Sequence, residues 1–133
     1  MSIKTELSRN NKYWIPKYRY LELKNYCLQY PGWKMALKEM NYLKAKTEII
    51  PSGNIPDPTN DYALKRLKYE QSIEFIESIA RATDPCIADW LIKGVTENYT
   101  YDYLRCKMDI PAGREMYYDR YRKFFWILDK KKP

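Results

Sequence analysis

Residues 84–132 read DPCIADWLIKGVTENYTYDYLRCKMDIPAGREMYYDRYRKFFWILDKKK, and this stretch constrains the fold more tightly than any other part of the chain. It holds three helical segments separated by two short breaks. Asp84 can cap the first, with Pro85 at the first helical position, where its missing N–H costs nothing. Ile87, Trp90, Leu91 and Val95 give that helix one apolar face. Asn98 and Tyr99 form a break, and Thr100 is a second N-cap. Tyr101 to Met108 makes a helix of about two turns. Asp109 to Gly113 is the turn that follows. Pro111 cannot continue the preceding helix, and Gly113 is expected to relieve crowding at the start of the next.

The third segment runs from about Arg114 to Asp129. Tyr117, Tyr121, Phe124 and Leu128 recur at spacings of four, three and four, with Phe125 beside them, which is a helical apolar stripe. Glu115, Tyr118, Asp119, Arg122 and Lys123 occupy the opposite face. An apolar back and an Arg/Tyr-rich front suit a helix lying in the major groove of DNA. Arginine donates a bidentate pair to guanine, tyrosine reaches phosphate, and the first residues of the helix approach base edges. The expected DNA-contacting residues are Arg114, Glu115, Tyr118, Arg122, Lys123 and Lys130.

The run from Val95 to Leu128, with its "Tyr-Thr-Tyr-Asp" entry, short helix and "Asp-Ile-Pro" turn, resembles region four of sigma-70-type factors. It is more similar still to small phage late-operon transcriptional regulators of the RinA/ArpU type, whose C-terminal signature is like IPAGREMYYDRYRKFFWILDKK here. The resemblance covers roughly the last 40 residues well. It departs from the sigma pattern by one extra residue after Gly113. It implies a helix-turn-helix fold, DNA binding, transcriptional control and a phage or mobile-element origin.

Charge along the chain is uneven. The net charge is +7 over 133 residues. Residues 1–46 carry ten Lys/Arg against three Asp/Glu, residues 61–98 five against seven, and residues 105–133 nine against four. Two basic ends flank an acidic middle, a balance that favours polyanions through counterion release. A charge of this size also serves solubility alone. The 14 Tyr against three Phe place much of the apolar inventory at half-wet surfaces, such as subunit interfaces or nucleic-acid contacts.

The N-terminal half reads as helical too. Residues 1–12 are polar and are expected to be disordered or to form a loose arm. Ile15-Pro16 marks a helix start, with Tyr20, Leu23, Cys27 and Tyr30 on one stripe. Pro31-Gly32 is expected to end that helix at Tyr30. A second helix over about Trp33 to Ala45 carries Trp33, Ala36, Leu37, Met40 and Leu43 at three/four spacing. The two are expected to pair as an antiparallel hairpin across residues 1–46. Residues 47–60, TEIIPSGNIPDPTN, form the linker, with Ile49, Ile50 and Ile55 packing against the body. A long central helix follows, from about Asn60 to Ala82. It is expected to touch both the hairpin and the C-terminal unit, or to form a dimer seam, and it opens the domain spanning residues 61–133. The whole is expected to be all-α, because no sustained period-two segment is flanked by hairpin turns.

Catalysis is not expected. The chain has no His, which removes the usual general base and the commonest metal ligand. Glu70, Glu74 and Glu77 share one side of a helix and read as a solvated acidic face, not a divalent-metal site. The three Cys form no C-x-x-C pair and fall short of a four-ligand zinc site, so they read as reduced, mostly buried small hydrophobes. No phosphate-cradling glycine loop occurs. No cofactor and no metal are expected. No apolar run has the length of a membrane span, and the N-terminus lacks a signal-peptide core, which implies a cytoplasmic protein.

Three functions remain in view. The first is a sequence-specific regulator bound to double-stranded DNA, with a homodimer reading two half-sites. The second is a small phage protein that inhibits a host machine, such as a CRISPR nuclease or RNA polymerase. The third is a phage packaging or structural adaptor.

Overall fold

The computed structural model describes residues 11–49 and 60–133. Among the described residues it is all-helical, with six helices and no strand: α1 (Lys17–Cys27), α2 (Tyr30–Ile49), α3 (Asn60–Thr83), α4 (Ala88–Glu97), α5 (Tyr101–Met108) and α6 (Arg114–Lys131). The expected loose arm, apart from Asn11 and Lys12, and linker residues 50–59 lie outside the described residues. Asn11 opens a short turn, its side chain accepting from the Tyr13 N–H at 2.9 Å and its carbonyl from the Trp14 N–H at 3.0 Å.

The break between α1 and α2 falls at Leu28-Gln29, earlier than Pro31-Gly32 suggests. Pro31 stands in the first turn of α2, where a missing N–H leaves no hydrogen bond unmade. The far end of α2 also differs, since the helix runs to Ile49 and takes in the first residues of the expected linker. Nothing in Thr47-Glu48-Ile49 breaks a helix. The first breaker is Pro51, and a proline restricts the residue before it as well.

Helix pairing departs from the expected N-terminal hairpin. α1 lies against α4 and α6, while α2 packs along α3. The antiparallel hairpin is therefore α2–α3. The Tyr30 hydroxyl donates to Glu77 at 2.5 Å near one end, and the Tyr62 hydroxyl to the Met40 carbonyl at 3.1 Å near the other. α1 is instead tied to the end of α6. Arg19 Nε donates to Asp129 Oδ1 at 2.6 Å, and its Nη2 donates to the Lys132 carbonyl at 2.6 Å. An arginine at a helix C-terminus satisfies carbonyls that the helix itself leaves open.

One core joins these helices. Leu23 and Cys27 of α1, Ile76 and Ala80 of α3, Leu91 and Val95 of α4, Leu104 of α5, and Phe124 and Leu128 of α6 are fully enclosed. α3 is central, as its apolar positions suggest, touching α2, α4 and α6. Its three glutamates are engaged singly. Glu70 pairs with Arg66 at 3.1 Å, Glu74 with Arg81 at 2.5 Å, and Glu77 accepts from Tyr30. Of the cysteines, Cys27 is buried, but Cys86 and Cys106 are exposed, contrary to the expectation that most would be enclosed. Both stand on the outer side of short segments, where no second layer covers them. No helix among the described residues is long and apolar enough to cross a membrane.

Candidate nucleic-acid interface

The C-terminal unit is built on α4. Asp84 does not cap α4 directly. Its Oδ1 accepts from the Cys86 N–H at 3.0 Å, and its carbonyl from the Ile87 N–H at 3.3 Å, so residues 84–87 form a turn leading into the helix. Its other carboxylate oxygen takes Arg120 Nε at 3.0 Å, which docks α6 onto the start of this unit. Asn98 closes α4 in the left-handed region, at φ 58°, which asparagine tolerates better than most side chains. Thr100 caps α5 as its sequence indicates, accepting from the Tyr103 N–H at 3.2 Å.

The turn between α5 and α6 is held from several sides. Asp109 takes the left-handed conformation at φ 50°, and the Ile110 N–H turns back to the Leu104 carbonyl at 3.2 Å. Ile110 is buried. Trp90 Nε1 donates to the Met108 carbonyl at 2.7 Å, and the Tyr101 hydroxyl donates to the Ala112 carbonyl at 2.7 Å. The carbonyls on both sides of the turn are thus fixed by aromatic donors from α4 and α5. Gly113 does not perform the role the sequence suggested. Its φ is −75°, and a Cβ there would meet open space. The turn needs no glycine at that position.

α6 divides as its periodicity indicates. Tyr117, Tyr121, Phe124, Phe125 and Leu128 are buried, and Trp90 is half-buried against the same core. Arg114, Glu115 and Met116 are exposed, while Tyr118, Arg122 and Lys123 are half-buried. A hollow of about 590 Å³ on the outer face of the helix is lined by Arg114, Glu115, Met116, Tyr118, Asp119 and Arg122. Four of the six expected contact residues therefore gather at one place. Lys123 lies outside the hollow. Lys130 stands about 24 Å along the helix from Arg114, by the rise of 1.5 Å per residue, with its ammonium over the Trp126 ring at 4.3 Å.

The electrostatics of the hollow are mixed. Arg114 is held by an ion pair to Asp102 of α5 and lies over the Tyr101 ring at 5.1 Å. Asp119 of the hollow pairs with Arg120 at 2.5 Å, and Glu115 stands exposed beside Arg114. The sequence reading missed Asp102, because twelve residues and a turn separate it from Arg114 and no helical spacing links the two.

Behind α6 lies a second group that the sequence did not announce. Lys24 of α1 reaches inward, donating to the Tyr121 hydroxyl at 3.0 Å and to the Gly94 and Val95 carbonyls at 3.4 Å each. Desolvation lowers its pKa to about 8. The Tyr117 hydroxyl is buried with no hydrogen-bond partner among the described residues, and desolvation raises its pKa. It rests against Gly94, where any Cβ would overlap it. Lys24 sits on the α1 stripe's edge, and lysines at such positions ordinarily reach for water, so periodicity gave no sign of its burial. Comparison with protein-family models, curated proteins and solved structures finds no match to this chain.

Proposed function

We propose that the protein is a sequence-specific DNA-binding transcriptional regulator of the phage late-operon kind, presenting the first half of α6 to the major groove. The observation that carries this reading is the pairing of a fixed turn with an open helix start. Trp90 and Tyr101 hold the carbonyls of Met108 and Ala112, and the helix that leaves the turn exposes Arg114, Glu115 and Met116 while burying Tyr117 and Tyr121. A reading helix must be rigid at its back and free at its N-terminal front. Arg114 is the base-edge candidate, and Arg122 contacts phosphate or a second base. Lys123 and Lys130 add attraction that does not depend on sequence. The acidic residues beside the arginines make non-specific attraction weak, so affinity rests on a few matched contacts.

Selection of bound sequences from random duplexes tests this. The wild type should enrich one motif, and Arg114→Ala and Arg122→Ala should relax or lose it. Enrichment of no motif, or equal enrichment by all three proteins, would remove α6 as the reader. The mixed charge of the hollow favours a second reading, a protein that binds and inhibits a host machine such as RNA polymerase. Paired acids and bases around an open hollow also suit a protein surface. Co-purification of a host protein, together with the absence of DNA binding, would select that reading.

A further inference from the structure

On the side of α4 away from α6, the chain carries a groove of about 610 Å³ between α2, α3 and α4. Its lining is mostly apolar. Leu37 and Met35 of α2, Ile73 of α3 and Ile92 of α4 contribute the hydrocarbon surface, and Met35 is 64% exposed. No residue of α5 or α6 takes part. Lysines form the rim. Lys34 and Lys38 stand one turn apart on α2, both exposed, and neither has an acidic partner among the described residues. Lys93 closes the opposite rim and is paired with Glu97 at 3.0 Å. The one carboxylate in the lining is therefore already neutralised, and the two lysines without an ion pair among the described residues are Lys34, whose ammonium lies over the Tyr30 ring at 5.4 Å, and Lys38.

We infer that this groove docks an amphipathic helix of a partner protein, with apolar anchors facing the groove and acidic residues facing Lys34 and Lys38. Three features support that occupant. An apolar trough flanked by helices accepts anchors at i, i+3 or i+4, and i+7. Exposed Met35 supplies an adaptable wall, since its unbranched thioether refits to different anchors. The charge left unpaired at the rim selects against a basic helix with the same anchors. DNA meets the groove poorly, because a phosphate backbone offers nothing to Leu37, Ile73 and Ile92. The inference is independent of what α6 binds, and the two faces can be occupied together.

The test titrates the full chain with two synthetic helical peptides sharing one set of Leu anchors, one bearing Glu and one bearing Lys at every outward position. The observed signals are the methyl resonances of Met35, Ile73 and Ile92. The Glu peptide should shift these methyls and bind at least tenfold more tightly than the Lys peptide. Lys34→Glu with Lys38→Glu, both at exposed positions, should reverse the preference while leaving the far-UV spectrum and unfolding midpoint of the free chain close to wild type. Equal binding of both peptides, or shifts confined to other methyls, would overturn the inference. So would a concentration-dependent shift of the same methyls without peptide, which would mark a second copy of the chain as the occupant. A shift of these methyls by duplex DNA, abolished by the double substitution, would likewise overturn it in favour of a phosphate-contacting face.

Discussion

Gly94 and Tyr117 are a matched pair. The glycine lets the Tyr117 ring lie against α4, but the hydroxyl reaches a place where it has no partner among the described residues. A buried unpaired hydroxyl costs about 1–3 kcal/mol. Tyr117→Phe is therefore expected to leave stability unchanged or raise it. Gly94→Ala is expected to lower stability by about 1–3 kcal/mol through overpacking. The Gly94→Ala/Tyr117→Phe double variant should recover part of that loss and not all, since a Cβ would still stand 3.2 Å from Tyr117 Cζ. Urea unfolding of the four proteins checks the cycle, and purely additive effects would show that the two sites do not touch.

Lys24 gives the molecule a defined pH response. Its folded-state pKa is about 8, below the ordinary value of 10.5. Below pH 8 both states hold the proton, and the folded state bears the full desolvation cost. Between about pH 8 and 10.5 the folded lysine gives up its proton first, so its contribution to stability rises with pH. Cys27 acts oppositely. Burial pushes its thiol up to about 12, so stability falls above about pH 9 as the unfolded thiol ionises. Comparing wild type with Lys24→Met isolates the lysine. Wild type should gain roughly 1–3 kcal/mol on that variant between pH 7 and 10. A constant difference would mean that the ammonium is hydrated.

At the level of elements, α6 depends on its back face. Phe124 is completely buried, and Phe124→Ala is expected to destabilise by about 3–5 kcal/mol in thermal or urea unfolding. The Asp102–Arg114 pair links α5 to α6 at the exposed rim. Exposed pairs contribute little to stability, so Asp102→Asn should leave unfolding nearly unchanged. It should raise affinity for duplex DNA of any sequence several-fold, by freeing Arg114 and removing a like charge from the phosphates. Filter binding of that variant against wild type measures this. The elements differ in how plainly the sequence announced them. α3, α5 and α6 carry local signals, such as Thr100 at a cap and the Tyr117–Tyr121–Phe124–Leu128 stripe, and these act within a turn or two. The α1–α2 break did not read correctly, because Pro31 is as much at home in the first turn of a helix as in a turn between helices. The pairing of α1 with α6 through Arg19 and Asp129 was also hidden, being a contact between residues at opposite ends of the chain. Within the hollow, helical spacing brought out Arg114, Tyr118 and Arg122, whereas Asp102 came into view only once the turn was folded.

For the whole molecule, the basic excess of the sequence spreads over separate surfaces. Lys24 is half-buried against Tyr121, Arg19 closes the end of α6, Arg120 holds Asp84, and Lys34 and Lys38 edge the groove. On the proposed reading, discrimination between sequences comes from Arg114 and its neighbours, while Lys123 and Lys130 add attraction that does not depend on sequence. Lys130→Ala should weaken binding to all sequences alike and lower the salt slope by roughly one. The most direct test is a competition between a selected duplex and the same duplex with one base pair changed, for wild type and Arg114→Ala at fixed salt. The wild type should discriminate by about 1–3 kcal/mol at one position, and Arg114→Ala should lose that discrimination there while keeping it elsewhere. Equal discrimination by both proteins at every position would contradict the assignment of α6 as the reading helix.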